Sequence, residues 1–264
     1  MGYECVLFAF DETRFTTTVL PEYQKLRQTY LANTWMQQRI LDFLEDNEVW
    51  DPINYPVRVA DQDVDVRQWL YLVTDIDEPI PVNRVPIYPE YAYNDCLFDP
   101  DAGPDCVMRV GPLCLHDLWQ NELVRCCETP AIHVAKSAYF DNWASFAEEL
   151  FKIPRRHRLT ELFDFLGLRA FEDSCGDCRD IAGVQGWLTA EETRELVTAM
   201  EAFELPRFAD YAAAKAARDE FWARSEYNHD GFMRLTLGII RSAATLASEK
   251  NLGLLHGVDM GPWV

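Results

Sequence analysis

Tyr3-Glu4-Cys5-Val6-Leu7-Phe8-Ala9-Phe10 is the stretch that decides the fold of this chain. If these residues form a strand, both alternating sets of side chains are mostly apolar, which is typical of a strand that is covered on both faces. Helical patterns with capping residues follow as far as the C-terminal part of the chain. We therefore predict an α+β fold that is predominantly helical, with the N-terminal strand in the interior of a small sheet.

Helical periodicity and capping residues divide much of the remaining chain. Pro21 suits the first turn of a helix whose apolar positions recur as far as Leu44, and this pattern predicts one helix that ends near Asp46. Thr189 and Glu192 have the spacing of a capping box. Further helix starts are predicted at Asp117, Asp141, Thr160, Pro206 and Asp230, and short strands at 57–60, 69–74 and 131–135.

Residues 47–110 differ from the rest because prolines recur throughout them. Proline fixes its own backbone angle and lacks a donor, so this proline-rich middle is expected to be irregular. We predict an acidic α+β region over residues 1–110 and a mainly helical region over 111–264, with one continuous domain as the alternative. The first region has 20 acidic and 8 basic residues, a net charge of −12, and the second has 24 and 16, a net charge of −8.

The charge of the whole chain limits its partners. It carries 24 Lys and Arg against 44 Asp and Glu, for a formal net charge of −20. Such a protein is repelled by nucleic acids and by anionic membranes, so we expect neither as a partner. Solubility needs a net charge of only roughly 2–8 in a small domain, so the excess favours a role in attracting a basic protein.

The candidate surface for that partner lies between residues 61 and 105. Aromatic side chains among carboxylates suit the recognition of cations. Asp61-x-Asp63-x-Asp65 resembles the opening of a calcium loop, but Val66 and Leu72 stand where that loop requires Gly and Glu. On a strand, the three aspartates would instead share one face. We predict partner-binding roles for Asp61, Asp63, Asp65, Asp75, Asp77, Glu78, Tyr91, Tyr93, Asp99, Asp101 and Asp105.

Cys175-Gly176-Asp177-Cys178 is the best candidate for a metal site, with zinc as the metal that two such thiolates favour. A structural zinc needs about four ligands, and no second pair of this spacing exists in the sequence. A redox role would require a strand before the motif and a helix that opens at it, whereas residues 162–168 favour a helix and 180–185 an irregular segment. An inert loop with two cysteines is the third interpretation.

Catalytic motifs are not found in this sequence. His116-Asp117 and His229-Asp230 would suit a metal-assisted hydrolase, but each pair lacks the further ligands that such an enzyme needs nearby. Nucleophile-elbow, zinc-protease, phosphate-loop and dinucleotide-binding patterns do not occur. We therefore assign no catalytic residue, and an enzyme is the less favoured class.

The expected location and function follow from these features. The N-terminal residues have the wrong charge order for a secretory leader, and no apolar stretch approaches about 18 residues. We expect a cytoplasmic protein with mostly reduced cysteines. In composition alone it resembles bacterial immunity proteins, which neutralise basic toxins. We predict an immunity-type or inhibitor protein that binds a basic protein. A metal-assisted hydrolase with dispersed His, Asp and Cys residues and a thiolate-metal binding module are the alternatives.

Overall fold

The computed structural model describes residues 4–46, 53, 56–66, 115–136, 143–173, 183–224 and 228–258. Within these ranges the chain is an α+β protein in which helices predominate, as predicted. The described residues divide into two compact units. The first unit combines residues up to Thr13 with those from Leu123 onward, and the second runs from Arg14 to Glu122.

The strands and helices have the following bounds. The strands are β1 (Glu4–Phe10), β2 (Leu31–Ala32), β3 (Val64–Asp65), β4 (Cys127–Lys136), β5 (Gly183–Leu188) and β6 (Gly253–Val258). The helices are α1 (Glu12–Arg14), α2 (Leu20–Thr29), α3 (Thr34–Asp46), α4 (Leu115–Arg125), α5 (Trp143–Phe151), α6 (Arg158–Asp173), α7 (Ala190–Glu201), α8 (Tyr211–Ala223) and α9 (His229–Glu249). A π-helical turn at Phe15–Val19 joins α1 to α2.

The first unit is built on an antiparallel sheet with the strand order β4-β1-β6-β5. β1 is paired on both sides, and Leu7 lies opposite Ile132 of β4 and His256 of β6. Leu7 and Phe8, which point to opposite faces, are both buried. The prediction of an interior strand at the N-terminus is confirmed, because only a strand with cover on both faces can bury both alternating sets.

β5 and β6 complete the sheet, and the sequence indicated neither of them clearly. Residues 180–185 were expected to be irregular, but β5 begins at Gly183. A Cβ atom at Gly186 would lie only 2.1 Å from the Phe165 carbonyl oxygen, so α6 passes directly over this strand. β6 is buried at every position. The buried core continues from the sheet into α5, α6, α7 and α9, and α9 is the longest described helix at 21 residues.

In the second unit, the prediction of a single helix between Pro21 and Asp46 is wrong, because two helices, α2 and α3, occupy this stretch. Pro21 does lie in the first turn of α2, but Tyr30 adopts a left-handed conformation with φ 61° and ends that helix. Residues 31–32 then pair with β3, and the side chain of Asn33 accepts a hydrogen bond from the Met36 amide at the start of α3. Apolar spacing continues across this break, so periodicity alone does not reveal it.

Signals for helix starts were correct at one helix and misplaced at four others. Asp117 lies inside α4, which begins at Leu115. The capping box of Thr189 and Glu192 is present at α7. Thr160 lies inside α6, where the ring of His157 accepts the hydrogen bond from the Leu159 amide. α9 is capped by Asn228 rather than by Asp230, and α8 by Asp210 rather than opened by Pro206. Residues 131–135 do form a strand and 57–60 do not, whereas Asp141 and 69–74 lie outside the described residues.

Candidate functional site

Three of the predicted partner-binding residues, Asp61, Asp63 and Asp65, belong to the described part of the second unit. They lie in a stretch that we call the acidic segment, residues 60–66. The other predicted residues lie outside the described residues: Asp75, Asp77, Glu78, Tyr91, Tyr93, Asp99, Asp101 and Asp105, together with the proposed metal ligands Cys175 and Cys178.

The acidic segment is held in place by the side chain of Gln37, which is completely buried on α3. Its Oε1 accepts a hydrogen bond from the Ala60 amide at 2.8 Å. Its Nε2 donates to the carbonyl oxygens of Gln62 at 2.6 Å and of Ala32 at 3.0 Å. One side chain thus joins the acidic segment, β2 and α3, and its polar groups are satisfied without water.

Further contacts fix both ends of the acidic segment. At its start, the Thr34 hydroxyl donates to the Ala60 carbonyl oxygen at 3.1 Å. At its end, the Val66 amide donates to the Tyr30 carbonyl oxygen at 3.1 Å, and the Val66 side chain is buried. Because its backbone is fixed at both ends and by Gln37, the acidic segment has little freedom to rearrange.

The three aspartates do not share the face of a strand as predicted, because β3 contains only Val64 and Asp65. Gln37 binds the backbone at residues 60 and 62, so the chain is not paired as a strand there. Asp61 and Asp63 are exposed, and Asp65 is half-buried opposite Leu31.

Lys25 of α2 offsets part of the negative charge. Its ammonium lies 2.6 Å from an Asp63 carboxylate oxygen and 3.7 Å from one of Glu22. The hydrogen bond to Asp63 raises the pKa of Lys25 above its ordinary value. Within the described part of the chain, Asp61 forms no such ion pair and presents an exposed negative charge.

The hydrolase and metal hypotheses receive no support from the described residues. Within them, no three His, Cys, Asp or Glu side chains come together in a way that could hold a metal ion. Asp230 lies in the first turn of α9, and His229 is 3.9 Å from a Glu149 carboxylate oxygen. Desolvation raises the pKa of the Cys127 thiol well above its ordinary value, which disfavours the reactive thiolate.

Two of the basic residues at the start of α6, Arg155 and Arg158, are paired with carboxylates. Arg155 binds Glu148 and Asp164, at 3.2 and 2.8 Å. Arg158 binds Glu161 and Glu195, each at 2.7 Å. These guanidinium groups are therefore not available as an unopposed patch for phosphates.

Sequence reasoning missed Gln37, because a lone glutamine in an amphipathic helix carries no signal of the segment that it binds. It also missed Arg218 of α8, a buried residue whose guanidinium donates to Glu4 at 3.1 Å across 214 residues of sequence. His133 of β4 contacts the same Glu4 oxygen at 2.8 Å. These contacts join β1, β4 and α8.

In the described ranges, every helix is too short or too polar to span a lipid bilayer. No protein-family model, curated protein or solved structure matches the chain.

Proposed function

We propose that this protein acts by binding a basic protein, and that the acidic segment forms part of the binding surface. The observation that carries the proposal is the set of three hydrogen bonds by which the Gln37 side chain fixes the backbone of the segment to α3 and β2. These hydrogen bonds fix the backbone that carries the exposed carboxylates before any partner arrives. A segment that is already ordered before binding loses less conformational entropy when its partner associates.

Charge supports the same interpretation. The whole chain has a net charge of −20, and the segment presents Asp61 and Asp63 to solvent. A field of one sign draws an oppositely charged protein into encounter and speeds association. Within this proposal, the specific role is that of an immunity-type protein or inhibitor, in which the acidic surface covers a cationic site on its target.

The test replaces Asp61, Asp63 and Asp65 together by Asn. The protein is used to capture partners from its native cell extract at low and at high salt, and captured basic proteins are then measured by surface plasmon resonance. We expect the triple variant to associate about tenfold more slowly at low salt, with a smaller change in dissociation, because exposed charges chiefly affect the rate of encounter.

A matched control removes the same charge elsewhere. Glu149, Glu191 and Glu204 are exposed residues of the first unit, and their joint replacement by Gln also changes the net charge by three. Association rates that fall equally in the two triple variants would reduce the role of the segment to net charge alone. Capture of no basic protein at low salt, together with hydrolysis of a phosphoester on addition of metal, would refute the binding proposal in favour of the hydrolase.

The Gln37→Met variant tests the effect of order in the acidic segment separately from the effect of its charge. This variant keeps every carboxylate but removes the three hydrogen bonds that hold the acidic segment. We expect weaker binding of the captured partner at unchanged net charge, as the segment must then be ordered during binding. Unchanged affinity in a folded Gln37→Met protein would contradict the idea that the ordered segment contacts the partner.

A further inference from the structure

A cleft of about 250 Å³ lies in the first unit, between α7, α9 and the connection from α7 to α8. Apolar side chains, among them Val197 and Leu246, form part of its lining. Its volume is below the roughly 300 Å³ at which pockets for drug-sized ligands begin, so an occupant would be small. None of its residues belongs to the acidic segment, and the inference is independent of the function proposed above.

Arg241 is a buried cation in the lining of this cleft. The residue is only 4% exposed, and its Nη2 donates to the carbonyl oxygens of Leu205 at 2.7 Å and Pro206 at 2.8 Å. No carboxylate of the described residues forms an ion pair with it. Burial lowers the pKa of Arg241, the nearby charge of Arg207 acts in the same direction, and the Glu201 carboxylate opposes them without forming an ion pair. Carbonyl dipoles satisfy hydrogen bonds but supply no formal negative charge.

The cleft is formed before any ligand binds. Pro206 packs on α9 so closely that a Cβ atom at Gly238 would lie 2.9 Å from the Pro206 carbonyl oxygen. The Phe208 amide donates to the Ser242 hydroxyl at 3.0 Å, and that hydroxyl donates to the Gly238 carbonyl oxygen at 2.9 Å. The wall that carries Arg207 and Phe208 is therefore fixed to the helix that carries Arg241.

Charges of both signs line the cleft without pairing with one another. Arg207 and Arg241 supply two guanidinium groups, and Glu201 and Glu249 supply two carboxylates. None of the four takes part in an ion pair within the described part of the chain. A simple anion such as phosphate would meet both carboxylates, whereas a ligand with a carboxylate and an ammonium group could satisfy both signs.

We propose that this cleft binds a small zwitterion with an apolar side chain, of the size and chemistry of a free aliphatic amino acid. The guanidinium groups of Arg241 and Arg207 bind its carboxylate, and Glu201 and Glu249 attract its ammonium group. The apolar lining, including Val197 and Leu246, receives the side chain.

The test is isothermal titration calorimetry of the full chain with L-leucine and three probes. Isocaproate has the same carbon skeleton without the amine, isoamylamine has it without the carboxylate, and inorganic phosphate is a bare anion. We expect leucine to bind at least about tenfold more tightly than any of them, since each analogue loses one charge-assisted contact. No measurable binding of leucine, or binding of isocaproate or phosphate as tight as that of leucine, would overturn the proposal.

Variants at exposed positions avoid the risk of unfolding. Arg207→Gln should weaken leucine binding by about tenfold. Glu201→Gln should reduce the preference for leucine over isocaproate. Arg234→Gln is the matched control. Arg234 is an exposed residue of α9, the helix that also carries Arg241, and it donates to the Glu204 carbonyl oxygen. An Arg234→Gln effect as large as that of Arg207→Gln would assign the binding to charge in general and refute the cleft.

Discussion

Gln37 in the second unit and Arg241 in the first have the same structural task. Each is a buried polar side chain on a helix that holds an irregular segment through its backbone groups. The neutral amide of Gln37 finds an amide donor and two carbonyl acceptors and leaves no charge. The guanidinium of Arg241 binds two carbonyl oxygens, and its positive charge has no carboxylate partner among the described residues. Backbone groups can therefore satisfy a buried amide, whereas a buried cation still favours an anion.

Arg241→Met should have the largest effect on stability. It leaves the carbonyl oxygen of Leu205, a buried residue, without its donor, and a buried, unsatisfied group costs about 1–3 kcal/mol. Pro206 is exposed, so water can replace part of its lost hydrogen bond. We expect the free energy of unfolding to fall by about 3 kcal/mol, as measured by urea denaturation. A more stable Met variant would show that the cost of burying the charge exceeds the benefit of both hydrogen bonds.

His256 is a buried side chain whose protonation should make the stability of the protein depend on pH. It lies on β6 with no exposed surface, its Nδ1 is 3.0 Å from the Leu166 carbonyl oxygen, and burial lowers its pKa to about 4. The unfolded chain binds this proton from about pH 6.5 downward and the folded chain only near pH 4, so stability falls as the pH falls through that window. The expected loss at pH 4 is about 3 kcal/mol relative to neutral pH.

The measurement for His256 is urea denaturation across pH 4 to 7, for the unmodified protein and for His256→Leu. The leucine variant should lose the part of the pH dependence that comes from this residue. Parallel pH profiles for the two proteins would mean that His256 is not held neutral in the folded state.

Gln37→Met should destabilise the second unit by about 2 kcal/mol, less than the change at Arg241. It removes hydrogen bonds to three backbone groups, but residues 60 and 62 are partly or fully exposed, so water can replace some of the partners. Hydrogen exchange should rise at the Ala60 amide in particular. Unchanged protection of that amide would contradict the role given to Gln37.

Lys25→Met should give the smallest change in stability, below about 0.5 kcal/mol, because its ion pair with Asp63 is partly exposed. The same change removes a positive charge beside the acidic segment. We expect faster association with a captured basic partner at low salt, opposite in direction to the aspartate variants. Slower association would indicate that Lys25 itself contacts the partner.

The sequence predicted secondary structure correctly at two places where the pattern depends only on neighbouring residues. The apolar alternation of residues 3–10 identified an interior strand, and Thr189 with Glu192 identified the start of α7, because these patterns depend on residues a few positions apart. The candidate site was predicted less well. Asp61, Asp63 and Asp65 stood out by charge, but their arrangement depends on Gln37 and Lys25, which lie elsewhere in the sequence.

What the sequence by itself determined is therefore the class of fold, the place of the first strand and the acidic net charge of −20. The tertiary structure alone decided that Gly253–Val258, with its two glycines and a histidine, forms a central strand, and that Pro206 lies before a helix instead of opening it. It also decided which polar side chains are buried. The physical reason is that such outcomes depend on partners distant in the chain, as when Arg241 takes the carbonyl oxygens of Leu205 and Pro206, and no local pattern records them.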